Sequence, residues 1–580
     1  MNRIFAWVLL NCSIATNCAV VHAARSHEDV LPENTWLTVS VADLSELTEV
    51  YLKGPLPALF DRKEIHPFME KLKESSIGKQ FSGLTVTGEL LTWQVFIEKF
   101  PGRITFAVGG EDFSFEKGVG SDYSLIADYA GDVEFLVELS EKLYARSNEA
   151  KLNIVEEDYF GTTLYLEETV YEDEVSVHSA WTVVDGLFLE AASTAELKTL
   201  VDSVVDGGHR KPLSANPVYL DAQAEMIDCE ACVFINLAAV IPAIEALINQ
   251  ESIQLPPNAL GITTNGILNS LKLQNLQSLY LGLKHDRAGL RIHYGLVHQG
   301  LEGLLSLLSF TSGDYSEVFF VPAQSINASI THFSIPEAIS NLEAIIAAVS
   351  PAFSNFLQMQ IDALSTNAQV DIRENIIENF GDQIVACSFF DSAFNPAVAD
   401  SESTLNHCYI YTLRNPQSFA ASLEVIKTLF SAGNELFDSK EYLNTPIYVL
   451  KGNSDHNNFS YALKDRYLLF ALGDPHALEP IILALEKPGD HLLESAMLQD
   501  ALAELPANPN QIQYADIGKL WKNIAAQFFA VIESGHSDYA KNGDDFKTSN
   551  VPYFMVAGTY VENNRIAFEA LIQAKPDEDN

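Results

Sequence analysis

The strongest constraint on the fold is an internal repeat, in which similar segments recur in the same order about 280 residues apart. Each segment combines a strand with a turn or a helix end. The matched pairs are 97–104 with 377–384, 125–128 with 409–412, 159–165 with 442–448, and 183–187 with 463–467. One such match arises easily by chance, but several matches in a constant order do not. The repeat therefore predicts two homologous halves.

Each half is predicted to be α+β, with a mostly antiparallel sheet and helices packed on one face. Short turns join many of the consecutive strands, and such connections favour antiparallel pairing. Turns at Asp185 and Asp465 are examples. The expected organisation is a signal peptide over 1–23, a first half over 30–300, a linker with a short helix over 301–318, and a second half over 319–575.

Two segments of the second half resemble the pattern of a known group of proteins. The first is Phe320-Val321-Pro322-Ala323, and the second, residues 370–384, reads VDIRENIIENFGDQI, an acidic helix that leads into a strand. They are similar to the "F-V-P-A" and "L-G-D-E-I" segments of large exported bacterial proteins of unknown function. The resemblance implies export and a two-half α+β fold. It provides no catalytic residues to carry over to this chain.

The N-terminus has the pattern of a secretory signal peptide. Arg3 is the first charged residue and a largely apolar stretch follows it, interrupted by polar residues that make a poor membrane span. Small residues at Val21 and Ala23 predict cleavage between Ala23 and Ala24. We therefore expect an exported protein, periplasmic or extracellular, with no membrane span in the mature chain. Lipid attachment is disfavoured because asparagine precedes both cysteines of this segment, Cys12 and Cys18.

The charge balance excludes several classes of partner. The chain has 35 basic and 78 acidic residues, a formal net charge of −43. Such a chain repels the phosphates of nucleic acids and anionic membrane surfaces. Its 47% hydrophobic and 19% charged residues also exclude disorder for the bulk of the chain. Any functional surface is expected on a patch that carries less charge than the rest.

Four cysteines follow the signal segment, and an even number in an exported protein suggests disulfides. Cys387 and Cys408 lie in apolar strands that can pair, so we predict a disulfide between them. Cys229 and Cys232 form a C-x-x-C motif, but a strand rather than a helix follows it, which disfavours a thioredoxin-type site. A zinc site would need two further ligands. A local disulfide or two buried thiols remain the alternatives for this pair.

No motif in the sequence indicates a reaction. There is no H-E-x-x-H metal motif, no G-x-S-x-G nucleophile motif and no phosphate-binding P-loop, so no cofactor is expected. Glu98 and Glu378 occupy equivalent places in the repeat and could form a carboxylate pair, or could be ordinary solvated helix positions.

These observations favour an exported, non-enzymatic binding or structural protein whose partner is an unknown protein or envelope ligand. The alternative is a secreted hydrolase that uses scattered carboxylates. Converging carboxylates with perturbed pKa values would favour the hydrolase, and a large apolar surface would favour binding.

Overall fold

The computed structural model of the protein describes most of the chain after the predicted signal segment. The described residues are 26–45, 84–109, 122–147, 152–171, 174–205, 207, 210–248, 255–256, 258–285, 288–315, 318, 320–390, 405–431, 436–451, 458–487, 491–520 and 553–575.

Strands and helices are both numerous in these residues. The strands are β1 Leu37–Val41, β2 Thr85–Val86, β3 Glu89–Leu90, β4 Ile104–Val108, β5 Tyr123–Asp128, β6 Asn153–Tyr159, β7 Thr162–Tyr171, β8 Glu174–Val184, β9 Leu187–Ala191, β10 Ala231–Asn236, β11 Leu276–His285, β12 Leu290–His298, β13 Asn327–His332, β14 Phe380–Phe390, β15 Leu405–Leu413, β16 Phe437–Tyr442, β17 Thr445–Leu450, β18 Asn458–Lys464, β19 Tyr467–Gly473, β20 Gln511–Ala515, β21 Tyr553–Val561 and β22 Arg565–Ala574. The α-helices are α1 His27–Val30, α2 Trp93–Lys99, α3 Val133–Ser147, α4 Thr194–Val205, α5 Pro217–Glu225, α6 Leu237–Ile248, α7 Thr264–Leu271, α8 Ile335–Val349, α9 Pro351–Ala368, α10 Pro416–Ser431, α11 Glu479–Glu486 and α12 Ala496–Ala503. Short 3-10 helices include Gly303–Leu307, and Arg373–Ile377 forms a π-helical turn.

The described chain divides into two compact units. The first contains the described residues of Met1–Ala243 and Leu276–Val297, and the second contains the described residues of Ile244–Asn275, His298–Leu520 and Pro552–Asn580. In the first unit the antiparallel order is β11-β10-β1-β4-β5-β9-β8-β7-β6. In the second unit it is β22-β21-β20-β13-β14-β15-β19-β18-β17-β16.

The α+β class and the antiparallel pairing agree with the sequence prediction, but the two-half architecture is wrong. Apart from the small β2–β3 hairpin, the described strands all belong to a single 20-stranded sheet. A sequence repeat predicts where strands form, but not which strand ends up at an edge. Unpaired edge groups favour further pairing, so similar segments can join one sheet. The boundaries at 30–300, 301–318 and 319–575 stay predictions.

Helices cover both faces of the sheet in the first unit, rather than the single face predicted. In β9, Leu189 packs on one side in a cluster with Leu200 of α4. The next residue back, Phe188, packs on the other side in a cluster with Phe135 of α3. All five residues of β9 are buried, because neighbouring side chains point to opposite faces and both faces are covered.

Tight turns connect the hairpins at the positions that the repeat predicts. Asp185 and Gly186 join β8 to β9 with φ values of 50° and 78°. Asp465 has φ 51° in the turn between β18 and β19. Two-residue hairpin turns need these left-handed conformations, which Gly, Asn and Asp tolerate best. Among the described helices, none is both long enough and apolar enough to cross a bilayer.

Candidate functional site

The predicted cysteine pairs do lie together, but all four are free thiols. Cys387 of β14 lies directly opposite Cys408 of β15, and both are buried. The predicted disulfide is therefore absent. Cys408 Sγ instead donates to the carbonyl oxygen of Ala477 at 3.4 Å. The hydrogen bond with Cys387, together with burial, raises the pKa of Cys408, which keeps this thiol protonated.

The C-x-x-C motif lies at the start of β10, with Cys229 buried and Cys232 half-buried. Gly282 of β11 pairs with Cys232, and a Cβ added at Gly282 would lie 2.5 Å from Cys229 Sγ. The hydrogen bond from Cys232 lowers the pKa of Cys229 and raises that of Cys232. The motif is thus a pair of interacting thiols, with no helix N-terminus after it.

The other predicted positions give no site. Residues 1–25, with the Ala23–Ala24 cleavage site, lie outside the described part of the chain. Glu98 and Glu378 are each exposed on their own elements. No group of three or more His, Cys, Asp or Glu side chains among the described residues is arranged to hold a metal ion.

A buried polar network, here called the N-terminal network, ties the start of the described chain to the sheet. It consists of His27, Glu28, Arg103, Asp128 and Tyr219. Arg103 donates from one guanidinium nitrogen to Glu28 Oε2 at 2.9 Å, and the Tyr219 hydroxyl donates to Glu28 Oε1 at 2.7 Å. His27 Nδ1 lies 2.9 Å from a Thr105 hydroxyl on β4, and His27 Nε2 lies 3.5 Å from Asp128 Oδ1.

The charges in the N-terminal network compensate one another. Burial alone would raise the pKa of Glu28, but Arg103 and the hydroxyl donors Ser26 and Tyr219 lower it to about 2. Burial lowers the pKa of His27, so this ring is neutral near pH 7. The arrangement is typical of a structural ion pair, because the donors around Glu28 leave the carboxylate little capacity to accept a proton.

Two carboxylates, here called the carboxyl pair, lie on the strands that flank β8. Glu167 of β7 is half-buried opposite Ser179, and Glu190 of β9 is buried opposite Trp181. Glu167 accepts hydrogen bonds from the Ser179 hydroxyl at 2.7 Å and from Trp181 Nε1 at 3.2 Å. Glu190 is 6% exposed, and the Tyr123 hydroxyl donates to its Oε1 at 3.4 Å. Burial and the charge of Glu167 raise the pKa of Glu190 to about 7. Glu190 is therefore a candidate proton donor enclosed by protein.

The second unit exposes apolar side chains on a set of neighbouring helices. No residue of α8 is fully buried, although its sequence is IPEAISNLEAIIAAV. Asn341 of α8 donates to the carbonyl oxygen of Ser306 in the 3-10 helix at 2.7 Å, so polar contacts hold the two helices together. The apolar surface, as we name it, comprises Leu255 46%, Leu301 38%, Leu304 42%, Leu342 44%, Phe356 46%, Met359 64% and Leu364 44% exposed.

This surface carries little charge. Helices α7, α8 and α9 and the 3-10 helix Gly303–Leu307 together contain only three charged residues, Glu337, Glu343 and Asp362. One of these, Glu343, is neutralised by Arg373, which donates to Glu343 Oε2 at 3.1 Å. On a chain of net charge −43, the apolar surface is a weakly charged patch. The sequence signal for it was the absence of charge in 344–361, which is also compatible with a buried helix.

Comparison with known proteins does not assign the chain to a family. No protein-family model matches the chain, and no curated protein matches it. Among solved structures, crystal form III of TP0453 covers 51% of this chain and 92% of its own, with 10% identity and a TM-score of 0.26. Crystal form I covers 48% of this chain and 80% of its own, with 12% identity and a TM-score of 0.22. Crystal form IV covers 46% of this chain and 79% of its own, with 11% identity and a TM-score of 0.23. At these TM-scores the likeness supports no conclusion about fold or function.

Proposed function

We propose that this is an exported protein that acts by binding an apolar partner and does not catalyse a reaction. The apolar surface of the second unit carries the proposal. Apolar side chains that are exposed together on neighbouring elements are typical of binding sites. The low charge of the surrounding helices also supports it, because an apolar partner would otherwise have to displace water from charged groups.

Export is the second part of the proposal, and the N-terminal pattern together with the resemblance to exported proteins supports it. Expression in an exporting bacterial host should yield a chain that begins at Ala24. Intact mass and N-terminal sequencing of the periplasmic and medium fractions measure this. A chain that retains Arg3, or one that begins with a lipid-modified Cys18, would contradict it.

Binding can be measured with Nile red, an uncharged dye that fluoresces in apolar environments. We expect saturable binding that weakens about tenfold in Leu304→Glu and in Leu342→Glu, because each change removes one apolar contact. Phe160→Glu is the matched control, since Phe160 is 91% exposed on the β6–β7 turn of the other unit. Equal dye binding by all four proteins would contradict a role for the apolar surface.

The carboxyl pair favours one competing function, a hydrolase with Glu190 as the proton donor. Its pKa of about 7 suits general acid catalysis at neutral pH. Enclosure opposes this function, since a donor must reach within hydrogen-bond distance of the substrate. A screen with ester, glycoside and peptide substrates should therefore show no turnover. Turnover that Glu190→Gln abolishes, with a pH profile that changes near 7, would favour the hydrolase instead.

A further inference from the structure

Helix α9 carries an apolar stripe on the side that faces solvent. The stripe, as we define it, consists of Ala352, Phe356, Met359 and Ala363, all four of which are exposed. Their spacing is four, three and four residues, which places them along one line of an α-helix. The opposite side of the helix packs inward.

The inward side of α9 has its own apolar residues, so the stripe is not needed for the fold of the unit. Phe353, Leu357 and Ile361 are half-buried, and Ala368 is buried. Ser350 caps the helix by accepting a hydrogen bond from the Phe353 amide at 3.1 Å, and Pro351 occupies its first turn. A helix of 18 residues that is capped and packed on one side still exposes a second apolar line on the other.

The order of side chains in the stripe is symmetric. From Ala352 to Ala363 the sizes run small, large, large, small. A two-fold axis midway between Phe356 and Met359 would place Ala352 of one copy against Ala363 of the other. The same operation would place Phe356 against Met359, and a thioether beside an aromatic ring is a favourable contact. An isologous interface requires this kind of self-complementary surface.

The charge distribution also fits a second copy. Two chains of net charge −43 repel each other, so they can approach only where each is nearly neutral. Asp362 is the single charged residue of α9, and it accepts a hydrogen bond from Gln358 Nε2 at 2.8 Å. In the antiparallel arrangement Asp362 of one copy lies level with Phe353 of the other, because the same two-fold axis relates the two positions. The two copies of Asp362 lie about 14 Å apart along the helix axes, so no like charges meet.

We propose that α9 is the seam of an antiparallel homodimer, in which the stripe packs against the stripe of a second copy of this chain. This goes beyond the proposed function, because it assigns a specific partner to one face of one helix. Helix-to-helix packing along such a line excludes water from both stripes. Because the opposing force is long-range charge repulsion, added salt should strengthen the dimer.

Sedimentation equilibrium of the full chain, measured over a wide concentration range, tests the dimer. Phe356→Glu and Met359→Glu should each raise the dimer dissociation constant by at least about a hundredfold. The reason is that each substitution occurs twice in the symmetric interface, once in each copy. Both positions are exposed, so the circular dichroism spectrum should not change. Phe160→Glu again serves as the control and should dimerise like the wild type. A monomeric wild type at all concentrations and salt levels would overturn the proposal.

Cysteine crosslinking tests the antiparallel geometry. An equimolar mixture of Ala352→Cys and Ala363→Cys chains should form a disulfide-linked dimer on mild oxidation, which the wild type should not form. Either variant alone should not crosslink, because its two cysteines would lie about 16 Å apart along the seam. Efficient crosslinking of Ala352→Cys with itself would show a parallel pair and overturn the antiparallel seam. Loss of Nile red binding in Leu342→Glu with an intact dimer would separate the proposed function from this inference.

Discussion

Replacing Arg103 by methionine should lower the free energy of unfolding by about 3–5 kcal/mol. Glu28 is 3% exposed, and Arg103 supplies its compensating charge. The methionine keeps much of the side-chain volume but leaves a buried carboxylate without a cation. Hydrogen exchange of peptides from α1, β4 and α5, measured over a series of urea concentrations, reports the loss of stability in the first unit.

Two matched variants separate this effect from a general loss of charge. Arg414→Met removes an exposed pair with Asp382, whose side chains are 52% and 53% exposed, and should cost at most about 1 kcal/mol. The double variant Glu28→Gln with Arg103→Met should recover most of the stability, because the buried Glu28 carboxylate is then removed together with its cation. If Arg103→Met were no more destabilised than Arg414→Met, the N-terminal network would contribute nothing.

Between pH 4.5 and 7, the free energy of unfolding of the wild type should fall by about 3 kcal/mol relative to that of Glu190→Gln. The folded state raises the pKa of Glu190 from 4.5 to about 7, so it binds the proton more tightly than the unfolded state. The resulting stabilisation is fully present below pH 4.5 and is lost as the pH rises through 7. Wild type should therefore lose stability over this range relative to Glu190→Gln. Urea midpoints at a series of pH values measure the difference.

Glu28→Gln provides the control of opposite sign for the carboxyl pair. The folded state lowers the pKa of Glu28 from 4.5 to about 2, so its stabilisation is present above pH 4.5 and is lost as the pH falls towards 2. Removing Glu28 should therefore flatten the acid limb, whereas removing Glu190 should flatten the limb between pH 4.5 and 7. Identical pH curves for wild type and Glu190→Gln would show that Glu190 is ionised at ordinary pH.

Local features of the fold could be predicted because neighbouring residues produce them. The hairpin turns at Asp185 and Asp465 follow from residues that tolerate positive φ between two apolar runs. The facing position of Cys387 and Cys408 followed from two apolar strands joined by one loop. Whether those thiols are oxidised did not follow, because facing positions on paired strands allow either a disulfide or two thiols.

The candidate sites were not predictable, because each joins residues that are far apart in the chain. Glu28 and Arg103 are 75 residues apart, and nothing in the sequence around either residue indicates that the two will form an ion pair. Glu167 and Glu190 lie on the two strands that flank β8, and only the order of strands in the sheet reveals this placement. The apolar period of α8 looks like that of a buried helix, and only the packing shows that none of its residues is buried.

The sequence by itself determined the α+β class, the antiparallel hairpins and the acidic character, because periodicity, turn chemistry and charge are local or additive properties. The tertiary structure alone decided that the strands share one sheet, that Glu190 is enclosed and that the α9 stripe faces water. These outcomes depend on which surfaces are left unpaired after the chain has packed. Burial is a property of the whole assembly of elements, and no single segment specifies it.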